Sequence, residues 1–209
     1  MSDRNKELQC CVSKCENPLD AKFWNSRWEN NEIGWDIGVA SPAITKYMDQ
    51  YLAKNAKILI PGCGNAHEAE YLVANGFTNI TLVDIAPKAV ELLNEKFANT
   101  PNVKVLCKDF FLHEGHYDLI IEQTFFCTLP LPKRNEYSFK TASLLKKNGR
   151  IIGLLFDKTF EHQGPPFGGS VEDYKPIFEP NFVIKTMEKC YNSIAPRVNS
   201  EIFINLIKT

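Results

Sequence analysis

Residues 57–84 read KILIPGCGNAHEAEYLVANGFTNITLVD. Residues 57–61 form a short buried strand that runs straight into Gly62-Cys63-Gly64. Residues 65–74 read as a helix, and residues 80–84 are a second strand that ends on Asp84. A glycine pair between a strand and a helix lets a ligand approach the backbone closely. An acid at the tip of the next strand, about twenty residues on, can accept hydrogen bonds from both ribose hydroxyls of an adenosine ligand. The plainer reading of Asp84 is a helix cap before Pro87. Strand, glycine turn, helix, strand and acid in this order favour nucleotide-like binding.

The alternation continues outward. Ser41-Pro42 supplies an N-cap and first-turn pair for a helix reaching about Leu52, and residues 87–97 carry apolar positions at helical spacing. Residues 103–106, 117–122 and 150–156 read as strands. A helix over 133–147 is stopped by Asn148-Gly149. Strands alternating with helices predict a doubly wound α/β domain with a mostly parallel, Rossmann-like sheet. Residues 182–188 and 201–208 lack a helix-length pattern between them, so they are expected to form an antiparallel hairpin at the sheet edge, completing seven strands. Residues 162–169, HQGPPFGG, are too rich in Gly and Pro for regular structure. They are placed as a loop at the strand ends, where such folds build their sites.

A chain of 209 residues is one domain's length. The expected division is a mobile arm over 1–22 and a single domain over 23–209. With 24 basic against 25 acidic residues, a formal charge of −1 gives no bulk attraction to nucleic acid or to an acidic membrane. No apolar stretch approaches the ~20 residues of a membrane span, and the polar N-terminus does not read as a secretory signal. Seven scattered cysteines suit reduced thiols in a cytoplasm-like compartment. Cys11 and Cys15 have no second ligand pair at zinc-like spacing, so no structural metal is expected. The expectation is a cytoplasmic monomer.

The glycine turn also limits the ligand. A dinucleotide fingerprint wants a third glycine at position 67, which is His67, and a Walker lysine is lacking. An adenosine ligand without phosphates fits better, and S-adenosylmethionine is the common one. Asp109 ends the third strand. Its carboxylate or the Phe110 amide could read the adenine edge with Phe110 beside the ring, though Asp109 alone reads equally well as a cap. Trp24, Trp28 and Trp35 are the chain's three tryptophans and fall within twelve positions. They read either as a helix stapled permanently to the sheet or as an aromatic lid, over 23–40, that closes on a sulfonium.

The tryptophan spacing, the PGCG turn, Asp84, Asp109-Phe110 and the later Gly164-Pro165-Pro166-Phe167 together resemble the thiopurine S-methyltransferase family, above all its thiol and halide branch. The resemblance runs from about Phe23 to the C-terminus. It implies S-adenosylmethionine as donor, with Trp24, Trp28 and Trp35 around it. It also implies Gly62 at the methionine end, Asp84 on the ribose, Asp109 and Phe110 near adenine, and Gln123 as a further contact where relatives carry Arg or Tyr. Human-type thiopurine enzymes have a bulkier residue at position 62 and Glu at position 84, so this chain looks more like the thiol and halide branch.

The implied reaction is an SN2 methyl transfer to a small thiol, hydrosulfide or halide, with thiopurine-type thiols included. Trp35, Phe126, Pro166 and Phe167 are the candidate acceptor walls. An anionic acceptor needs no base, and His162 is a weak candidate base for a neutral thiol. Two other classes stay open: an NAD(P)-dependent oxidoreductase, disfavoured by His67 in place of glycine, and a noncatalytic donor-binding protein.

Overall fold

The computed structural model describes residues 19–209; most of the expected arm, with Cys10, Cys11 and Cys15, lies outside them. Five strands run parallel: β1 (Ile58–Pro61), β2 (Ile80–Asp84), β3 (Val103–Cys107), β4 (Tyr117–Gln123) and β5 (Leu145–Phe156). They are joined to a C-terminal antiparallel pair, β6 (Phe182–Lys189) and β7 (Glu201–Lys208), in the order β3-β2-β1-β4-β5-β7-β6. The helices are α1 (Ala21–Glu29), α2 (Pro42–Asp49), α3 (His67–Ala74), α4 (Pro87–Lys96), α5 (Arg134–Leu144) and α6 (Val171–Phe178).

Successive strand residues point to opposite faces, and the core divides accordingly. Leu59, Ile120 and Ile151 pack with Tyr137 of α5 and Phe178 of α6. Their neighbours Ile58, Ile60, Ile121 and Ile152 pack with Met48 of α2, Leu72 of α3 and Leu93 of α4. Burying each such side chain contributes roughly 1.5–3 kcal/mol. The central strands are therefore apolar on both faces, as the sequence reading requires. The strand order reverses between β1 and β4, which opens a crevice at their carboxyl ends.

Four details differ from the sequence reading. Helix α1 already begins at Ala21, inside the stretch expected as arm, capped by the Asp20 side chain accepting from the Phe23 amide at 2.9 Å. Ser41 stands at the N-cap of α2, but its hydroxyl does not cap. Its amide instead donates to Glu68 Oε1 at 3.0 Å, and the helix stops at Asp49. Helix α5 ends at Leu144, not residue 147, because Leu145 pairs with Tyr117 and Lys146 bonds Asp118 at 2.7 Å, drawing the chain into β5. Helix α6 was not expected at all. It is short and contains Pro176, yet Ser170 and Asp173 form a reciprocal capping box at its start. The hairpin itself forms as expected, with β7 inserted beside β5 and β6 left as the edge.

Candidate active site

The site begins where β1 runs out. Gly62 and Gly64 adopt φ of 55° and 52°, a left-handed conformation that favours glycine. A Cβ on Gly62 would lie 2.3 Å from Phe125 Cδ2, so the turn also needs glycine to admit that ring. The Gly64 amide donates to Asp84 Oδ2 at 3.2 Å and the Ala86 amide donates to Oδ1 at 2.9 Å. Asp84 is 8% exposed. Burial pushes its carboxyl above the ordinary value, and the Ala86 and Gly64 amides oppose that. Asp84 thus braces the turn from the tip of the neighbouring strand.

Helix α1 puts Trp24 and Trp28 one turn apart on a single face. Trp35, from the segment that follows, closes the group edge to face, with ring centroids 5.7 Å from Trp24 and 6.0 Å from Trp28. The Trp35 indole nitrogen comes within 3.6 Å of where a Gly64 side chain would begin. All three rings remain partly exposed, and no residue of α1 is fully buried. Asn25 fastens the far side by accepting from the Lys88 amide at the start of α4, at 2.8 Å.

Trp35, Asp36, Gly62, Gly64, His67 and Gln123 all line one crevice. Gln123, the last residue of β4, turns its Oε1 inward, buried and without a hydrogen-bond partner among the described residues. Asp109 is half-buried and caps the turn at Phe110–Leu112, accepting from the Phe111 amide at 2.8 Å. Two expected side chains are not free to touch a ligand. Phe110 is 3% exposed, wedged against Phe111, Phe125 and Tyr137, which leaves its amide as the group on offer. Phe126 is 1% exposed among Tyr137, Tyr174 and Phe178, so it is core and not an acceptor wall. Pro166 and Phe167 are half-buried, and the Phe167 amide donates to the Cys127 carbonyl at 2.6 Å, which ties their loop to the end of β4. His162 is exposed, tilted on Phe160, and is not part of the crevice lining.

Residues 19–205 match the thiopurine S-methyltransferase family. The chain belongs to that family. It is 32% identical to the probable thiol methyltransferase 2 of Arabidopsis thaliana over 162 residues, 75% of this chain and 71% of that one. It is 28% identical to thiocyanate methyltransferase 1 of Brassica oleracea over 184 residues, 85% and 81% of the two chains. The fold matches that of the Burkholderia thailandensis 1,6-didemethyltoxoflavin-N1-methyltransferase, solved with S-adenosylhomocysteine, with a TM-score of 0.71, 14% identity and 93% of each chain covered. The chain is an S-adenosylmethionine-dependent methyltransferase. The orphaned Gln123 oxygen and the tryptophan group beside the glycine turn suit such a donor, which carries hydrogen-bond donors and a sulfonium.

Several residues of this methyltransferase were not found from sequence. Glu122, fully buried, accepts the Phe125 and Phe126 amides on Oε1 at 2.8 and 2.7 Å and the Tyr137 hydroxyl on Oε2 at 2.5 Å. It holds the turn behind Gln123, where Thr124 takes φ of 57°. Arg134, 2% exposed, donates to the Phe167 and Gly168 carbonyls at 2.9 and 3.0 Å and so anchors the Gly/Pro loop. Arg197 donates to the Trp35 carbonyl at 3.0 Å, tying the connection before β7 to the aromatic segment. Neither motif spacing nor composition marks these residues. His67 alone left a trace, as the departure from the third glycine.

Proposed function

We propose that this chain transfers the methyl group of S-adenosylmethionine to a small soft nucleophile, a thiol, hydrosulfide or halide, with thiopurine-type thiols and thiocyanate in the same range. The observation that carries this reading is the edge-to-face tryptophan group resting on the Gly62–Gly64 turn. Ring faces attract a cation, and a lid of three indoles keeps water away from a displacement in which charge disperses. When bound, S-adenosylmethionine supplies a methyl group on cationic sulfur. The residues have to hold nucleophile, methyl and sulfur in line with about 3–3.5 Å between reacting atoms.

In this reading Trp24, Trp28 and Trp35 cover the sulfonium. The turn at Gly62 holds the methionine end, Asp84 accepts from the ribose hydroxyls, and Asp109 with the Phe110 amide meets the adenine edge. Gln123 Oε1 finds its missing donor on the same ligand. Trp35, Pro166 and Phe167 border the acceptor. A halide or hydrosulfide arrives as an anion: its lone pair forms the new bond to carbon while the carbon–sulfur pair returns to sulfur, with no proton to move. A neutral thiol must first lose its proton, to solvent or to a nearby base.

The test is methyl transfer from labelled donor to iodide, hydrosulfide, thiocyanate and an aryl thiol. Turnover on at least one is expected. Binding of S-adenosylhomocysteine without turnover on any of them would support the noncatalytic alternative. Stabilisation by NAD but not by S-adenosylhomocysteine in a melting experiment would support the oxidoreductase.

A further inference from the structure

The aromatic segment is tied to the glycine turn as well as laid over it. Asp36, the residue after Trp35, aims its carboxylate at the start of α3. Its Oδ1 accepts from the Gly38 amide at 2.8 Å and lies 2.8 Å from His67 Nε2, while Oδ2 accepts from the Asn65 side-chain amide. The other ring nitrogen, His67 Nδ1, lies 3.3 Å from Glu70 Oε2. Lys96 of α4 reaches that same Glu70 oxygen at 3.0 Å and the Asn65 carbonyl at 2.8 Å. Both ring nitrogens therefore face carboxylate oxygens, which only accept. A neutral imidazole has one N–H and can serve one side; the doubly protonated ring serves both.

The crevice beside this tie is small, with a volume of about 40 Å³. Small-molecule sites usually offer ~300 Å³ or more. An adenosine-sized donor does not fit this space as it stands, and the segment carrying Trp35, held by the tie at Asp36, forms one wall of it. We infer that Asp36 and His67 are the catch of the donor lid: positioning residues that set how fast the donor enters and leaves. The inference rests on the donor reading above.

Stopped-flow tryptophan fluorescence with S-adenosylhomocysteine reads this directly, since every tryptophan of the chain lies in the lid. Asp36→Asn and the more conservative His67→Gln are expected to speed both association and dissociation by roughly tenfold or more, the scale of a lost charge-assisted hydrogen bond. The melting temperature of the ligand-free protein should change much less. Association rates unchanged in both variants, with binding intact, overturn the catch and leave the donor site standing. Wild-type protein that does not bind S-adenosylhomocysteine at all overturns both.

Discussion

Glu122→Gln should make the protein more stable at pH 8 even though it removes a group with three hydrogen bonds. The carboxylate has no solvent exposure, and burial pushes its pKa from the ordinary 4.5 to about 7, against the Tyr137 hydroxyl and the Phe126 and Phe125 amides. An acid with a raised pKa binds its proton more tightly folded than unfolded. Its contribution is therefore most favourable below about pH 4.5, declines as pH rises towards 7, and is flat above. At roughly 1.4 kcal/mol per pH unit the difference is on the order of 3 kcal/mol. Glutamine keeps an oxygen for the two amides and presents an NH₂ to the Tyr137 oxygen, so the turn behind Gln123 survives while the buried charge goes. Urea unfolding at pH 5 and pH 8, for both proteins, is the measurement. Wild type should lose about 2–3 kcal/mol between the two pH values through this group, and the variant should lose correspondingly less. A variant clearly less stable than wild type at pH 8, with the same pH slope, would refute the reasoning. The carboxylate would then be a net stabilising partner of Tyr137 and not a strained one.

Further outcomes follow from the proposed site. Asp84→Ala should cost roughly 1.5–3 kcal/mol of donor affinity by calorimetry, and unchanged affinity would remove Asp84 from the ribose. Trp35→Ala should weaken donor binding while lowering ligand-free stability by much less than the ~3–5 kcal/mol of a core aromatic, because the ring is only partly buried; hydrogen exchange over 23–38 should slow on adding S-adenosylhomocysteine, and a stability collapse without a binding defect would restore the staple reading. His162→Ala should leave kcat on iodide nearly intact, as an exposed loop residue would. A loss on the order of a hundredfold confined to a high-pKa thiol would make it a base.

Local chemistry carried much of this protein into its sequence. Largely apolar runs mark β1 and β2 because strands covered on both faces favour apolar side chains. The glycine turn is visible because φ near +55° at Gly62 and Gly64 favours residues without a Cβ. The alternation of strand and helix predicted the sheet, and the tryptophan spacing with the Gly/Pro loop pointed to the family.

The rest depended on partners far away in the chain. Whether residues 145–147 continue a helix or start a strand is decided by Tyr117 and Asp118, nearly thirty positions earlier. Which strand of the hairpin lies inside is decided by the free edge of β5. Phe110 and Phe126 look like ligand walls in sequence, but the helix face brought over them by α5 and α6 makes them core. Asp36 and His67, thirty-one residues apart, meet only because the aromatic segment folds back across the turn at the start of α3. Spacing along the chain records what a residue's own backbone must do. Burial, charge pairing and the closing of a crevice are properties of surfaces that exist only after the sheet has assembled.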